Sequence, residues 1–240
     1  MPPALLVGVL MVVQFVLTSN NKLGTTGKKT GTWLEEFIAP YYNLIDSGYD
    51  VSIATPAGGE APIDPVSEQQ IYETELYARF VNDELLKNRL RNTIELKYIS
   101  DSSISALVYP GGHGPLWDLK SDPHSIALIT KMLNSNKPVA TICHAGCVLL
   151  DVVNDDDSPF VSGKHLTAFS DSEEAEVEML DIVPYLVESE LKKLGAKYSK
   201  GDNWSNYTQV DGNLITGQNP ASAIALAEKL KENLKASSGA

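Results

Sequence analysis

Apolar residues in this chain fall into short unbroken runs separated by stretches of helical spacing. Residues 12–17, 49–55, 105–110 and 137–143 are such runs, each closed by polar, Gly or Pro turns, and they predict strands buried on both faces. Between them, residues 33–46, about 73–90 and 123–133 carry hydrophobic side chains at helical intervals, and 145–153 predicts a helix directly after the fourth run. The C-terminal third adds a strand at 164–169, a helix at about 184–194 stopped by Gly195, a strand at 212–217 and a last helix at about 221–234. Strand, helix, strand in this rhythm builds βαβ units. The expected fold is α/β, a doubly wound and mostly parallel flavodoxin-like sheet sandwiched by helices.

Nothing in the pattern marks a second domain. Residues 11–235 are expected to form one, preceded by an apolar extension at 1–10 and followed by a frayed tail at 236–240. Residues 4–17 are apolar enough to suggest a secretory or anchoring segment, but the stretch is short for a membrane span and no Lys or Arg precedes it. Its part at 11–17 reads better as a fully buried parallel strand, and no membrane association is expected.

At 240 residues the chain can bury a sizeable core, and its formal net charge of −12 argues against a nucleic-acid footprint. The cysteines, Cys143 and Cys147, lie four apart in a predicted helix. They read as reduced thiols, which points to the cytoplasm. The Asn203 and Asn206 glycosylation triplets would matter only in a secreted protein.

Ligands of open parallel sheets bind outside the carboxyl ends of the strands, so chemistry is sought at the strand exits. Cys143 stands at one, in the stretch "ICHAG", with a helix predicted just after it. Backbone N–H groups at that helix start would lower its pKa, in the manner of a nucleophile elbow. The pattern by itself leaves a second reading open, a small buried core cysteine. The neighbouring exit, "YPGGHGP", tips the balance. Gly111 and Gly112 let bare backbone approach a ligand, and an N–H there could pair with that of His144 as an oxyanion hole. His113 would line the same pocket.

Other chemistry is weaker. His124 falls at a helix start and His165 in a strand, so the histidines are scattered and no metal centre is expected. Cys147 reads as a core residue one turn below the elbow, and Trp117 either caps the pocket or packs. The loop "GTTGKKTG" is basic and Gly-rich but lacks phosphate-loop spacing, and its lysines read as solvated.

Taken together, "TSNNKLGTTGKKTGTWLEEFIAPYY", "VYPGGHGPLWDL", "PVATICHAG" and "DGNLITGQNPASA" resemble the ThiJ/PfpI superfamily of class I glutamine amidotransferase-like proteins. Within it the chain is similar to the branch of glutathione-independent glyoxalases and stress-induced chaperone-like proteins. It departs from that branch after Cys-His, where Ala145 and Gly146 replace glycine and proline. The resemblance implies Cys143 as nucleophile, His144 beside it, Glu36 ahead of Pro40 as the acid of the first helix, and Glu174 as the partner of the histidine, with Asp171 as the fallback. Glu36 lies beside the buried stripe Trp33, Phe37 and Tyr41, whereas Glu35 points away from it. The resemblance further implies a small 2-oxoaldehyde such as methylglyoxal as substrate, D-lactate as product, a homodimer, and no requirement for glutathione, metal or nucleotide. Holdase chaperone, redox-sensing, deglycase and peptidase activities are the competing readings. Glutamine hydrolysis is disfavoured, because no histidine here has a Glu two residues on.

Overall fold

Residues 11–238 are described in the computed structural model. The strands are β1 (Val12–Val16), β2 (Asp50–Thr55), β3 (Ile94–Glu95), β4 (Ala106–Tyr109), β5 (Val139–Ile142), β6 (His165–Leu166), β7 (Lys197–Tyr198), β8 (Thr208–Asp211) and β9 (Leu214–Gly217). The α-helices are α1 (Leu34–Asp46), α2 (Pro65–Gln70), α3 (Glu75–Asn82), α4 (Glu84–Arg91), α5 (Pro115–Asp118), α6 (Pro123–Asn134), α7 (Asp171–Glu176), α8 (Val187–Lys193) and α9 (Ala223–Ser238). Seven strands form one sheet in the order β3-β2-β1-β4-β5-β9-β8, parallel except for β8, and β6 pairs with β7 in a separate two-stranded ribbon. The expected doubly wound fold is what forms.

β1 is central, paired in parallel with β2 on one side and β4 on the other. Its alternation distributes the core. Val13, Phe15 and Leu17 face the layer built with α1 and α9, while Val16 faces the layer that contains α6 and the turn after β5. The strand order reverses between β1 and β4, which opens a crevice at their carboxyl ends.

Several expected elements differ in detail. The helix expected over 73–90 is two helices broken at Asp83, whose side chain accepts the Leu86 N–H at 2.9 Å and so caps α4 as a new start. The strand expected at 164–169 shrinks to β6 and leaves the main sheet, because residues 167–170 leave as a strap beside Cys143. The expected helix at 145–153 is a 3₁₀ turn over Cys143–Leu149. The antiparallel edge strand β8 was not foreseen; its residues alternate weakly, since only one side of an edge strand meets the core. The tail expected to fray from 236 continues as α9 to Ser238, and residues 1–10 and 239–240 lie outside the described residues.

Candidate active site

The turn after β5 carries Cys143 at φ +60°, a left-handed conformation that costs a non-glycine residue energy and lifts the side chain out of the strand direction. The turn is held against the strap by the Phe169 N–H, which donates to the Cys143 carbonyl at 3.2 Å. Gly146 has room only for hydrogen, because a Cβ there would come within 2.7 Å of the Ala168 Cβ. Small residues after Cys-His therefore serve close packing of the elbow on the strap.

His144 is buried, and its Nδ1 lies 3.2 Å from the Cys143 Sγ. Its Nε2 lies 2.6 Å from Oε2 of Glu174, whose Oε1 lies 2.8 Å from the His113 Nε2. Burial pushes Glu174 up, but His144 and the hydrogen bonds from both imidazoles outweigh it and hold the carboxyl well below the usual carboxylate range. An ionised Glu174 only accepts hydrogen bonds, so both Nε2 atoms carry the proton, and the His144 Nδ1 is left with a lone pair facing the thiol. Burial holds the His144 pKa below its ordinary value, against the pull of Glu174, which keeps the imidazole neutral at pH 7.

Glu174 is delivered by a helix start legible in "SDSE". Ser170 and Glu173 form a reciprocal capping box at the start of α7, which puts Glu174 one position further on. Asp171 instead accepts from the Ser189 hydroxyl at 2.5 Å. The buried Glu173 accepts from the Trp204 N–H at 2.9 Å, from the Gln218 and Asn219 amides, and from Ser170, so one carboxylate joins strap, C-terminal strand exit and Trp204 loop. The sequence expectation for this segment names Glu174 and Asp171 and does not include Glu173.

Glu36, in the first turn of α1, is fully buried, whereas Glu35 is partly exposed. Its Oε2 accepts the Gly111 N–H at 2.8 Å, and its carboxyl lies against the Cys143 thiol while Oε1 makes no well-formed hydrogen bond. Burial pushes Glu36 up to about 8, so the carboxyl keeps its proton at neutral pH. Burial, then the Glu36 carboxylate, pushes the Cys143 thiol up as well; the backbone N–H groups of Gly112 and His144 act in the opposite direction. The sequence expectation of a low-pKa thiol is thereby corrected. The 3₁₀ turn contributes the His144 N–H and the loop after β4 the Gly112 N–H, and the two do not offset removal from water.

Two glycines divide their work. The Gly111 N–H is engaged by Glu36, so of the expected pair only Gly112 keeps a donor facing the sulfur. Gly112 sits at φ +92°, and a Cβ there would fall 2.4 Å from the Gly31 carbonyl oxygen, so no other residue fits. His113 lines the pocket but its Nε2 is committed to Glu174, which makes it a second support of the carboxylate. The pocket over Cys143 is narrow, with a volume of about 30 Å³ between Trp33, Phe169, Val177 and Trp204. Trp204 stands at φ +62° and packs edge-on against Phe169, which in turn stacks on His144 at 4.2 Å. Trp117 packs into the core layer beside α6 and does not line this pocket. Cys147 is fully buried, with its Sγ 3.5 Å from the Pro115 carbonyl, as expected of a core residue. His124 opens α6 and His165 lies in β6. Among the described residues, His113, His144 and Glu174 bring metal-ligand-type atoms within 4.8 Å of one another, a convergence the scattered histidines of the sequence concealed; here they hydrogen-bond to each other.

The raised Glu36 predicts a pH dependence of stability. The folded protein holds this proton up to about 8 while an unfolded chain releases it near 4.5, so the contribution of Glu36 to stability is greatest below 4.5 and falls as pH rises towards 8. The slope is about 1.4 kcal/mol per pH unit. Denaturant unfolding at pH 5 and 7.5 should show Glu36→Gln gaining stability relative to wild type at the higher pH; an unchanged difference would mean Glu36 titrates normally.

A cysteine in left-handed backbone at the end of a parallel strand, backed by an imidazole and a carboxylate, defines a doubly wound α/β protein built on a nucleophile elbow. The chain belongs to the DJ-1/PfpI family, whose model matches residues 29–233. It is 27% identical over 235 residues to Glyoxalase 3 of Candida albicans, covering 91% of this chain and 96% of that protein. Protein/nucleic acid deglycase HchA of Pseudomonas aeruginosa is 26% identical over 92% of this chain and 77% of its own length. Among solved structures, Rapid Encystment Protein 24 KDa of Francisella tularensis superposes with a TM-score of 0.90 at 34% identity, over 93% of this chain and 99% of that one. Among the described residues, no helix is long and apolar enough to cross a membrane.

Proposed function

We propose that this protein is a glutathione-independent glyoxalase, a cofactor-independent lyase of the glyoxalase III type that converts methylglyoxal and related 2-oxoaldehydes to D-lactate and the corresponding 2-hydroxy acids. One observation carries the reading: the Cys143 Sγ lies between a neutral His144 Nδ1 at 3.2 Å and a Glu36 carboxyl that retains its proton at pH 7. A base on one side and an acid on the other suit a reaction that moves protons between adjacent carbons.

The His144 Nδ1 takes the thiol proton as the sulfur attacks the aldehyde carbon, C1, and the oxygen of the resulting hemithioacetal is met by the N–H groups of Gly112 and His144. Glu174, bonded to both imidazoles, stabilises the charge on His144. Removal of the C1 proton gives an enediol, and protonation at C2 makes C2 the alcohol and C1 a thioester. Glu36 and His144 carry these protons. Water then cleaves the thioester, returning the thiol and releasing the 2-hydroxy acid; C1 is oxidised at the expense of C2, so no external oxidant is consumed. The pocket over Cys143 is narrow, which favours a small aldehyde over a bulky one.

Deglycation of protein or nucleic-acid adducts would use the same sulfur, and the deglycase relatives favour it as a second reading. A homodimer in the cytoplasm is proposed as the working form. The decisive assay is D-lactate formation from methylglyoxal by pure protein with no glutathione. Turnover supports the glyoxalase reading, and its absence together with activity on glycated peptide would replace it with the second.

A further inference from the structure

Beside the Cys143 pocket lies a larger cavity of about 580 Å³ that shares Trp33, His113 and Val177 with it, so the two adjoin. Its walls are mainly apolar, from Leu23, Val66, Val177 and Met179 among others, and Lys28 and Lys29 stand on its rim. These lysines belong to the loop that the sequence left as a solvated turn. They are held on a tight hairpin in which Lys22 bridges Lys29 and the Leu23 N–H donates to the Lys28 carbonyl at 3.0 Å. In a protein of net charge −12, in which most other cations are salt-bridged, neither Lys28 nor Lys29 has an ion-pair partner among the described residues. Asp64 also lines the cavity, but its oxygens accept from Thr30 Oγ1 at 2.9 Å and the Val66 N–H at 2.8 Å, so its charge is engaged in the wall.

An apolar cavity beside the nucleophile's pocket, with two lysines without ion-pair partners on its rim, matches a short aliphatic chain with an anion at its end. We propose that Lys28 and Lys29, on the rim of this cavity, form a tail subsite that selects 2-oxoaldehydes bearing a carboxylate-terminated chain over neutral ones. This rests on the glyoxalase reading and names the substrate class within it. The lysines then act at the mouth of the site as fixed positive charges, drawing the tail outward while the aldehyde end reaches Cys143.

The test compares kcat/KM for 4,5-dioxopentanoate with that for neutral 2-oxopentanal, with methylglyoxal turnover measured on the same preparations. Wild type should prefer the carboxylate by roughly three- to tenfold at low salt, as expected of two partly screened ion pairs, and the preference should shrink in 0.5 M NaCl. In a Lys28→Gln, Lys29→Gln double variant the ratio should fall to about one. A wild-type ratio near one, or a ratio unmoved in the double variant, overturns the subsite while methylglyoxal turnover leaves the glyoxalase reading standing. No turnover of any of the three aldehydes by wild type sinks both.

Discussion

Cys143→Ser should abolish lactate formation from methylglyoxal, with a loss on the order of 10⁴ or more in kcat/KM, while the folded structure persists. The substitution exchanges one small buried atom and leaves the left-handed backbone unchanged, so the thermal midpoint should move little. Chemistry is another matter, because the neutral His144 has a depressed pKa and can draw a proton from a thiol far more readily than from a hydroxyl. Cys147→Ser is the companion variant, and its activity should survive, since that sulfur meets the Pro115 carbonyl and Tyr185 and does not line the Cys143 pocket. The readouts are enantiospecific lactate assay and differential scanning calorimetry. Near-normal turnover by Cys143→Ser would remove the thiolate from the mechanism and leave the elbow a structural feature.

Glu36→Gln is expected to lower kcat by about 10² to 10⁴, the usual worth of a positioned general acid or base. Glutamine is nearly isosteric and still offers an oxygen to the Gly111 N–H, so loss of activity reports the missing proton rather than a collapsed site. Glu35→Gln should behave like wild type, because Glu35 makes no contact with Cys143. The pH profile gives the sign. Wild-type kcat should fall as pH rises through about 8, where Glu36 loses its proton and its charge opposes the thiolate; the Gln variant should lose that limb. Equal losses in the two variants would mean that α1 is generally sensitive to substitution. A silent Glu36→Gln would leave His144 as the base and remove the carboxyl from proton transfer.

Much of this protein was legible before any coordinates. The long elements and the parallel sheet followed from local periodicity, and the main misreadings fall where local signals are weak or misleading. The 73–90 helix was split by Asp83, which satisfies the start of α4 as a cap. The strand at 164–169 lost its end to the strap, whose apolar Phe169 packs on His144 instead of on a neighbouring strand. β8, on the sheet edge, carries too little alternation to be seen. In the site, Cys143, His144, Gly112, Glu36 and Glu174 were all named from the sequence and converge in space. Glu173, Phe169 and Trp204 were not named in the site, although the Ser170 to Glu173 capping spacing was there to be read.

The sequence by itself determined which chemistry stands at the strand exits, because a doubly wound sheet presents those exits on one edge whatever lies between them. Only the tertiary structure decided what state that chemistry takes. Glu36 meets Gly111 across 75 residues of chain and Glu174 meets His113 across 61, and no local pattern encodes either contact. Burial at those meeting points makes one carboxyl a proton reservoir at neutral pH and another a permanent anion, and raises the thiol that a helix start was expected to acidify. Protonation depends on how much water packing removes and which donors it brings near, and both are properties of the folded interior rather than of neighbours in the chain.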